Sequence, residues 1–364
     1  MYENYMKECF ELAKKGLGKT SPNPLVGCVV LDKDGNKIST GYHSKYGENH
    51  AERDALLKLK NGEEEGGTVI VNLEPCSHHG KTPPCVDLII ERKIKRVVFA
   101  MKDPNPIVSS IEKLKNNGIE VIYGVLENEA MDLNEVFVTN MQKKRPFIAL
   151  KTATTIDGKI STRTGSSKWI TSNKSREKGR ELRTIYDAVL TTSSTVIADN
   201  PNFNNDFKIL LDRNLRVDLE KKFFKSGKIL VIYDEKLNNS VIDNKIFCCK
   251  KNISEQQSEN IEFIPCPVKN DKIDINSMLQ ILFERKIMSI FVETGGVFNG
   301  SMIESGFVDK IYHFIAPKIL GDNFGQSAFS GRSIENINDC INYEVQNIKK
   351  LEKDILITYK RANG

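Results

Sequence analysis

The sequence predicts a two-domain α/β protein, and three observations carry that prediction. A chain of 364 residues is long for one core of ordinary size, so two domains is the expectation. Short apolar runs alternate with segments of helical period in both halves, the pattern of layered sheets covered by helices. A basic stretch, Gln142-Lys143-Lys144-Arg145-Pro146, interrupts the alternation before a fresh extended run begins at Phe147. The boundary is therefore placed after Lys144, giving domains over 1–144 and 145–364.

Tyr5, Cys9, Leu12 and Ala13 recur at helical spacing, so the chain opens with an amphipathic helix over Tyr2 to Leu17. Val26 to Leu31 and Lys37 to Tyr42 flank Asp34-Gly35, a hairpin signal. A helix over His50 to Lys60 precedes a strand over Thr68 to Asn72, a helix over Cys85 to Arg92 and a strand over Val97 to Ala100. A helix from Ser110 to Asn117 then leads to a strand over Ile119 to Tyr123. The second half runs from a strand over Phe147 to Thr152, through the turn Asp157-Gly158, to a helix over Ser175 to Tyr186 and a strand over Ala188 to Thr191. Later strands fall at Lys228 to Tyr233, Ser289 to Glu293, Lys310 to Ile315 and Asp354 to Tyr359. Asn238 to Asn276, rich in Asn, Lys, Ser and Glu, reads as short strands joined by solvated loops.

A hydrophobic fraction of 39% and a charged fraction of 28% are those of a soluble globular chain, and no apolar run reaches the roughly 20 residues of a membrane span. Met1 to Lys7 lacks the basic-then-apolar order of a secretory signal, so a cytoplasmic location is expected. Scattered cysteines then read as reduced thiols, with Cys9, Cys28, Cys266 and Cys340 as buried small hydrophobes and Cys248-Cys249 as an incidental pair. A net charge of +5 with dispersed lysines points to anionic small molecules and gives no reason to expect nucleic acid or membrane as a partner. A homo-oligomer is compatible with the sequence.

His50-Ala51-Glu52, followed by Pro75-Cys76 and then Cys85, is the strongest chemical signal in the chain. One imidazole and two thiolates make three zinc ligands, the number a catalytic zinc uses when it keeps a position for water, whereas structural sites close with four. Glu52 lies two residues from His50, so on the first turn of a helix it can face the same cavity without binding metal. Bound zinc brings a water's pKa toward neutrality, and a nearby carboxylate can carry its proton to a leaving amine. Hydrolytic deamination needs both, which makes Glu52 the candidate catalytic residue. A purely structural zinc module is the alternative, and it leaves Glu52 without a task. His43, His78, His79 and His313 read as satisfied polar or loop histidines.

The order H-x-E, P-C and a second Cys resembles the zinc-dependent cytidine and nucleobase deaminases. The stretch from Ser77 to Pro84 separates Cys76 from Cys85 where those enzymes have a shorter spacer. With Ser21-Pro22-Asn23-Pro24-Leu25-Val26-Gly27-Cys28-Val29 upstream, this longer loop resembles the bifunctional riboflavin-biosynthesis deaminase/reductase family. The resemblance implies a cytidine-deaminase-like α/β/α layered domain over 1–144, with Asn23 hydrogen-bonding the pyrimidine. It implies a dihydrofolate-reductase-like α/β domain over 145–364 that uses NADPH to reduce a ribosyl group to ribityl. The implied substrate is a small molecule, a phosphoribosylaminopyrimidine.

In the second half, Ser289 to Glu293 followed by Thr294-Gly295-Gly296-Val297-Phe298-Asn299-Gly300-Ser301 reads as a strand, a glycine turn and a helix start, a geometry that offers backbone N–H groups to a phosphate. An ordinary strand-to-helix turn is the alternative. Lys151-Thr152-Ala153, Asp157-Gly158-Lys159, Ser167-Lys168-Trp169-Ile170-Thr171 and Thr195 to Pro201 precede it in the order found in the family's reductase domain. By that resemblance Ala153, Trp169, Thr195, Asp199 and the run Gly295, Gly296, Val297, Phe298, Asn299, Gly300 and Ser301 contact NADPH. Ser167, Arg183, Phe203 and Glu293 hold the phosphosugar substrate. Read from the residues alone, Trp169 serves equally as a core aromatic, Arg183 as a solvated helix residue and Asp199 as a turn former.

One departure stands out. Where the family places a leucine-threonine-x-arginine stretch, the chain reads Phe203-Asn204-Asn205-Asp206. Phe203 replaces the leucine and Asp206 stands where an arginine is expected, which would repel a phosphate. Lys208, Arg213 and Arg216 are the nearest candidates to compensate. Two rival functions follow from these points: a deaminase of another nucleobase or nucleotide with a binding-only second domain, and a zinc-stabilised binding protein without turnover.

Overall fold

A computed structural model describes residues 2–80, 82–243 and 259–362, and the chain divides into two compact units, Met1–Lys144 and Arg145–Gly364. Cys248 and Cys249 lie outside the described residues. In the first unit, α1 (Glu3–Lys14) is followed by β1 (Gly27–Leu31), β2 (Lys37–Tyr42), α2 (Ala51–Leu56), β3 (Thr68–Leu73), α3 (Cys85–Glu91), β4 (Arg96–Met101), α4 (Ser110–Asn116) and β5 (Glu120–Tyr123). These strands form one sheet in the order β2-β1-β3-β4-β5, antiparallel about β1 and parallel from β3 to β5.

Strands β1 and β3 are buried along their whole length, as strands covered on both faces must be. Two glycines set how close the helices lie. A Cβ on Gly27 would stand 2.1 Å from the Cys9 carbonyl oxygen, and one on Gly41 2.4 Å from that of Ala51, so α1 and α2 rest backbone against backbone on the sheet. Helix α2 is shorter than the expected His50 to Lys60. It ends at Leu56, and the chain leaves through a turn in which the Leu59 N–H donates to the Leu56 carbonyl at 3.2 Å. Two further helices, α5 (Glu127–Leu133) and α6 (Glu135–Lys143), complete the unit.

The second unit opens with β6 (Phe147–Thr154), β7 (Lys159–Ser161), α7 (Asn173–Arg183), β8 (Ala188–Thr192), α8 (Ser193–Asp199), β9 (Phe207–Leu211) and β10 (Lys228–Asp234). It continues with β11 (Ile261–Cys266), β12 (Val268–Lys269), β13 (Lys272–Ile273), α9 (Ile275–Glu284), β14 (Ser289–Val292), α10 (Gly296–Glu304) and β15 (Lys310–Ile315). The last elements are β16 (Gln326–Ser327), β17 (Tyr343–Leu351) and β18 (Asp354–Arg361). Nine strands form one sheet in the order β11-β10-β9-β8-β14-β6-β15-β18-β17. It is parallel from β11 to β15 and closed by the antiparallel pair β18 and β17. One face packs Ile148, Leu190, Ile290 and Val292 against α9 and α10. The other packs Val189, Leu210 and Val231 against Phe203 and Phe223.

The stretch from 238 to 276 contributes β11, β12 and β13 within its described part. Strand β17 went unread because Glu344 to Lys350 are all exposed and so carry no apolar alternation. Cys9, Cys28 and Cys266 are buried, but Cys340 is exposed beside a short 3-10 turn, contrary to expectation. Among the described residues no helix is long and apolar enough to cross a membrane.

Candidate active sites

The three predicted ligands converge. Cys76 follows β3, Cys85 is the first residue of α3, and His50 caps α2. Their ligand atoms lie within 4.8 Å of one another, with His50 Nδ1 3.5 Å from Cys76 Sγ and 3.6 Å from Cys85 Sγ. A tetrahedral ion with the usual zinc–sulfur and zinc–nitrogen distances needs a nitrogen–sulfur edge of about 3.6 Å, so the donor set fits zinc in kind and spacing. The Cys85 N–H donates to Cys76 Sγ at 3.3 Å. Hydrogen bonds from the Cys85 thiol and from His50 draw the Cys76 thiol below its ordinary range, favouring the thiolate that a metal requires.

Glu52 is buried, in the first turn of α2. Burial, reinforced by the Cys76 thiolate, pushes its carboxyl up to about 7, a value suited to moving a proton in either direction near neutrality. Asn23 reaches the site through a histidine whose part the sequence did not disclose. His43 is buried, with its ring edge-on to that of His50 at 5.4 Å. Its Nδ1 lies 3.0 Å from the Asn49 carbonyl oxygen and its Nε2 3.2 Å from Asn23 Nδ2. A carbonyl only accepts, so Nδ1 carries the proton and Nε2 accepts from Asn23. That fixes the Asn23 amide with its oxygen available as an acceptor.

The loop that carries Asn23 is held by two buried asparagines. Asn72 accepts from the Gly27 N–H and donates to the Leu25 carbonyl, at 2.8 and 2.9 Å, while Asn134 accepts from the Leu25 N–H at 2.8 Å. The available signal was a polar residue inside the apolar run Thr68 to Leu73. Glu74, just before Pro75-Cys76, accepts from Ser110 N–H and Oγ and from the Asp103 N–H, at 3.1, 2.7 and 3.2 Å. It thereby ties the thiolate-bearing turn to the loop after β4.

In the second unit a cavity of about 1130 Å³ opens at the carboxyl ends of β8, β9 and β14, the usual ligand position in an open parallel sheet. Gly295, Gly296, Val297, Phe298 and Ser301 line it, so the start of α10 offers its unpaired N–H groups there. Asn299 and Gly300 are turned away from it. Asn299 Nδ2 donates to the Ala328 carbonyl at 2.9 Å, and a Cβ on Gly300 would stand 1.9 Å from the Ser330 carbonyl oxygen. Gly296 is equally tight against Ser327, whereas Gly295 has open space. Most of the glycine pattern therefore serves packing. Ala153, Trp169, Thr195 and Asp199 do not line the cavity itself. Trp169 is exposed with the Arg176 guanidinium 4.4 Å over its ring, Thr195 Oγ1 lies 3.2 Å from Thr192 Oγ1, Ala153 is half-buried on β6, and Asp199 is exposed at the end of α8.

Arg183, Phe203 and Glu293 do come together, but differently from expectation. Arg183 Nε and Nη2 donate to Glu293 Oε1 at 2.7 and 2.6 Å, and the guanidinium lies over the Phe203 ring at 4.5 Å. The donor fork of Arg183 is thus already engaged with the Glu293 carboxylate. Lys151 Nζ stands 3.6 Å from Glu293 Oε2; burial favours the neutral acid, yet Lys151 and Arg183 hold the Glu293 carboxyl below its usual range. Lys151 is the member that sequence reasoning left unassigned, although a lysine inside the apolar run from Phe147 was a usable signal. Ser167 is half-buried in the loop before α7.

Asp206 is exposed immediately before β9, where its carbonyl accepts from the Lys228 N–H at 2.7 Å. That is the amino end of β9, whereas the cavity and Glu293 lie at carboxyl ends, so Asp206 does not stand where a phosphate ligand is missing. Lys208 cannot compensate either. It is completely buried, its ammonium bonded to the Phe223 carbonyl and 4.9 Å from that ring.

Residues 1–101 match the family model of the cytidine and deoxycytidylate deaminase zinc-binding region, and residues 146–357 match that of the RibD C-terminal domain. The riboflavin biosynthesis protein RibD of Aquifex aeolicus is 41% identical, covering 99% of this chain and 98% of its own. That of Escherichia coli is 33% identical, covering 98% of each. A crystal structure of a diaminohydroxyphosphoribosylaminopyrimidine deaminase/5-amino-6-(5-phosphoribosylamino)uracil reductase from Thermotoga maritima superposes with a TM-score of 0.83 at 38% identity, covering 99% of each chain. Acinetobacter baumannii RibD superposes with a TM-score of 0.85 at 30% identity, again covering 99% of each.

Proposed function

The chain belongs to the RibD family of bifunctional riboflavin-biosynthesis enzymes, and on that premise we propose how its own residues divide the work. It is a zinc-dependent deaminase with a cytidine-deaminase-like unit and an NADPH-dependent reductase with a dihydrofolate-reductase-like unit. It deaminates 2,5-diamino-6-(5-phosphoribosylamino)pyrimidin-4-one and then reduces the ribosyl side chain to ribityl. The observation that carries the residue assignment is the convergence of His50, Cys76 and Cys85 beside a buried Glu52.

His50, Cys76 and Cys85 would hold zinc, and the ion would supply a Lewis acid able to lower the pKa of a bound water toward neutrality. Glu52, buried beside these residues with its carboxyl near 7, would take a proton from water and deliver it to the departing ring amine, so that ammonia leaves neutral. Asn23, held by His43, accepts from the pyrimidine and sets the ring's orientation. In the reductase unit, NADPH supplies a hydride. The start of α10 at Gly295 to Phe298 would hold its pyrophosphate, with Ser301 in the same wall, and Ala153, Trp169, Thr195 and Asp199 would hold the rest of the cofactor. Asn299 and Gly300 hold that helix against the 328–330 loop. The coupled group Arg183, Glu293 and Lys151, with Phe203 beneath it and Ser167 nearby in the sequence order of the family, positions the phosphoribosyl chain. We place the enzyme in the cytoplasm, where the thiolates at Cys76 and Cys85 stay reduced.

A coupled assay tests the reading: ammonia release from the diaminopyrimidine, then NADPH oxidation dependent on it. Ammonia release without NADPH oxidation would leave the second unit a binding domain, and neither would leave the zinc site structural.

A further inference from the structure

Strand β17 is exposed from Glu344 to Lys350, but the tip of its hairpin with β18 is not: Leu351 and Asp354 are buried. Asp354 is completely buried, and its Oδ2 accepts from the Ser172 N–H at 2.7 Å and from the Ser175 hydroxyl at 2.6 Å, residues 182 and 179 positions away. Burial favours the neutral acid, yet the Ser175 hydroxyl and the Ser172 N–H hold the carboxyl below its usual range. An ionised acceptor makes the stronger, charge-assisted kind of hydrogen bond. Ser172 is the N-cap of α7, its own Oγ accepting from the Ser175 N–H at 3.3 Å, so the carboxylate grips that helix at its cap and first turn. Among the described residues, no other side chain from outside 167–183 bonds to that turn.

Helix α7 transmits that grip in both directions. Ahead of it, Arg176 Nη1 donates to the Thr171 carbonyl at 2.6 Å and its guanidinium lies over the Trp169 ring, while the Trp169 carbonyl accepts from Lys318 Nζ at 2.6 Å. At the far end stands Arg183, bonded to Glu293, with its carbonyl accepting from Asn205 Nδ2 at 3.0 Å. Between the two ends Gly179 is buried, and a Cβ there would stand 4.0 Å from Lys151 Cε. The helix therefore lies across the Lys151, Glu293 and Arg183 group. Its 11 residues span about 16 Å, so a tilt of about 10° at the cap displaces the Arg183 end by about 3 Å.

We propose that Asp354 is a positioning residue of the reductase: through Ser172 and Ser175 it sets the start of α7, and with it the Trp169 segment and the Arg183, Glu293 and Lys151 group. The inference rests on the reading of those residues as parts of the reductase site. A misplacement of about 1 Å at reacting groups is enough to cost about 10²-fold in rate, so a hydrogen bond this remote from the chemistry governs turnover as well as stability.

Reduction and deamination are measured on the full-length wild type, Asp354→Ala, Asp354→Asn and Ser175→Ala, each well below its unfolding midpoint. Trp169 is the only tryptophan in the chain, so its fluorescence anisotropy reports the segment ahead of α7 directly. Alanine removes the acceptor, whereas asparagine keeps an oxygen in its place. Asp354→Ala is expected to lower kcat/KM for the phosphoribosyl substrate by about 10²-fold and to lower the Trp169 anisotropy, with ammonia release unchanged. Asp354→Asn is expected to recover most of both losses. Ser175→Ala, which keeps the bond to Ser172, is expected to lose about tenfold in reduction, the scale of one charge-assisted hydrogen bond. Wild-type reduction in Asp354→Ala overturns the proposal, as does slowed reduction with unchanged anisotropy, an equal fall in ammonia release, or no recovery by asparagine. If Asp354→Ala fails to fold, Ser175→Ala decides, and wild-type reduction there overturns the proposal. A wild type that oxidises no NADPH with its substrate overturns the reductase reading itself, a result distinct from failure of the Asp354 assignment alone.

Discussion

Replacing Lys208 with methionine should stabilise the reductase unit, most strongly below pH 8. Lys208 is fully buried with its ammonium on one carbonyl and one ring face, and burial pulls its pKa from 10.5 down to about 8. At about 1.4 kcal/mol per unit, that difference makes the charged form roughly 3 kcal/mol less stable in the folded than in the unfolded state. Methionine keeps the length and packs on the Phe223 ring, but leaves the Phe223 carbonyl without its donor, which costs about 1–3 kcal/mol. The net gain is about 0–2 kcal/mol, or a rise of up to about 6 °C in the unfolding midpoint for a unit of this size. The sign with pH follows from proton uptake. Below pH 8 both states bind the proton and the whole penalty is present; between about 8 and 10.5 only the unfolded state binds it, so wild-type stability rises with pH there. The advantage of methionine should therefore fade across that window. Calorimetric melts of wild type and variant from pH 7 to 10.5 read this out, and the substrate Michaelis constant should not move. A destabilised variant at pH 7, or a gap that widens with pH, would refute the burial argument; a raised Michaelis constant would return Lys208 to the substrate.

Other outcomes follow from the two sites. Cys85→Ser should lose zinc by elemental analysis, because a hydroxyl cannot replace the thiolate that completes the His50, Cys76 and Cys85 set; full retention of metal would remove Cys85 from it. Glu52→Gln should keep zinc yet lower ammonia release by about 10²–10⁴-fold, the usual worth of positioned proton transfer, and near-normal release would mean that another group carries the proton. Asp206→Arg should leave the Michaelis constant of the reductase substrate unchanged, since Asp206 lies at the amino end of β9. A clear fall in that constant would show that the phosphate reaches that end of the sheet.

The metal centre was legible because its chemistry is local and its donor types are rare. His50 with Glu52, Cys76 after an apolar run and Cys85 at a helix start could be read without knowing what packs on what. Strands β3, β4 and β6 were legible for a similar reason, since burial on both faces writes an apolar run into each. Strand β17 and helices α5 and α6 were not, because exposed or half-buried elements impose little pattern on composition.

What only the tertiary structure decided are pairings across long separations. His43 became the residue that orients Asn23 because β2 and the Pro-Asn-Pro loop meet beside His50. Arg183 proved to be committed to Glu293, a carboxylate 110 positions away. Lys208 and Asp206 lost the roles suggested by their charge, one to burial and one to its end of the strand. The sequence by itself determined which atoms can bind zinc, accept a proton or grip a phosphate, since that chemistry belongs to each side chain alone. Which of them face one another is set by the collective packing of two sheets, where burial and direction depend on every neighbouring element.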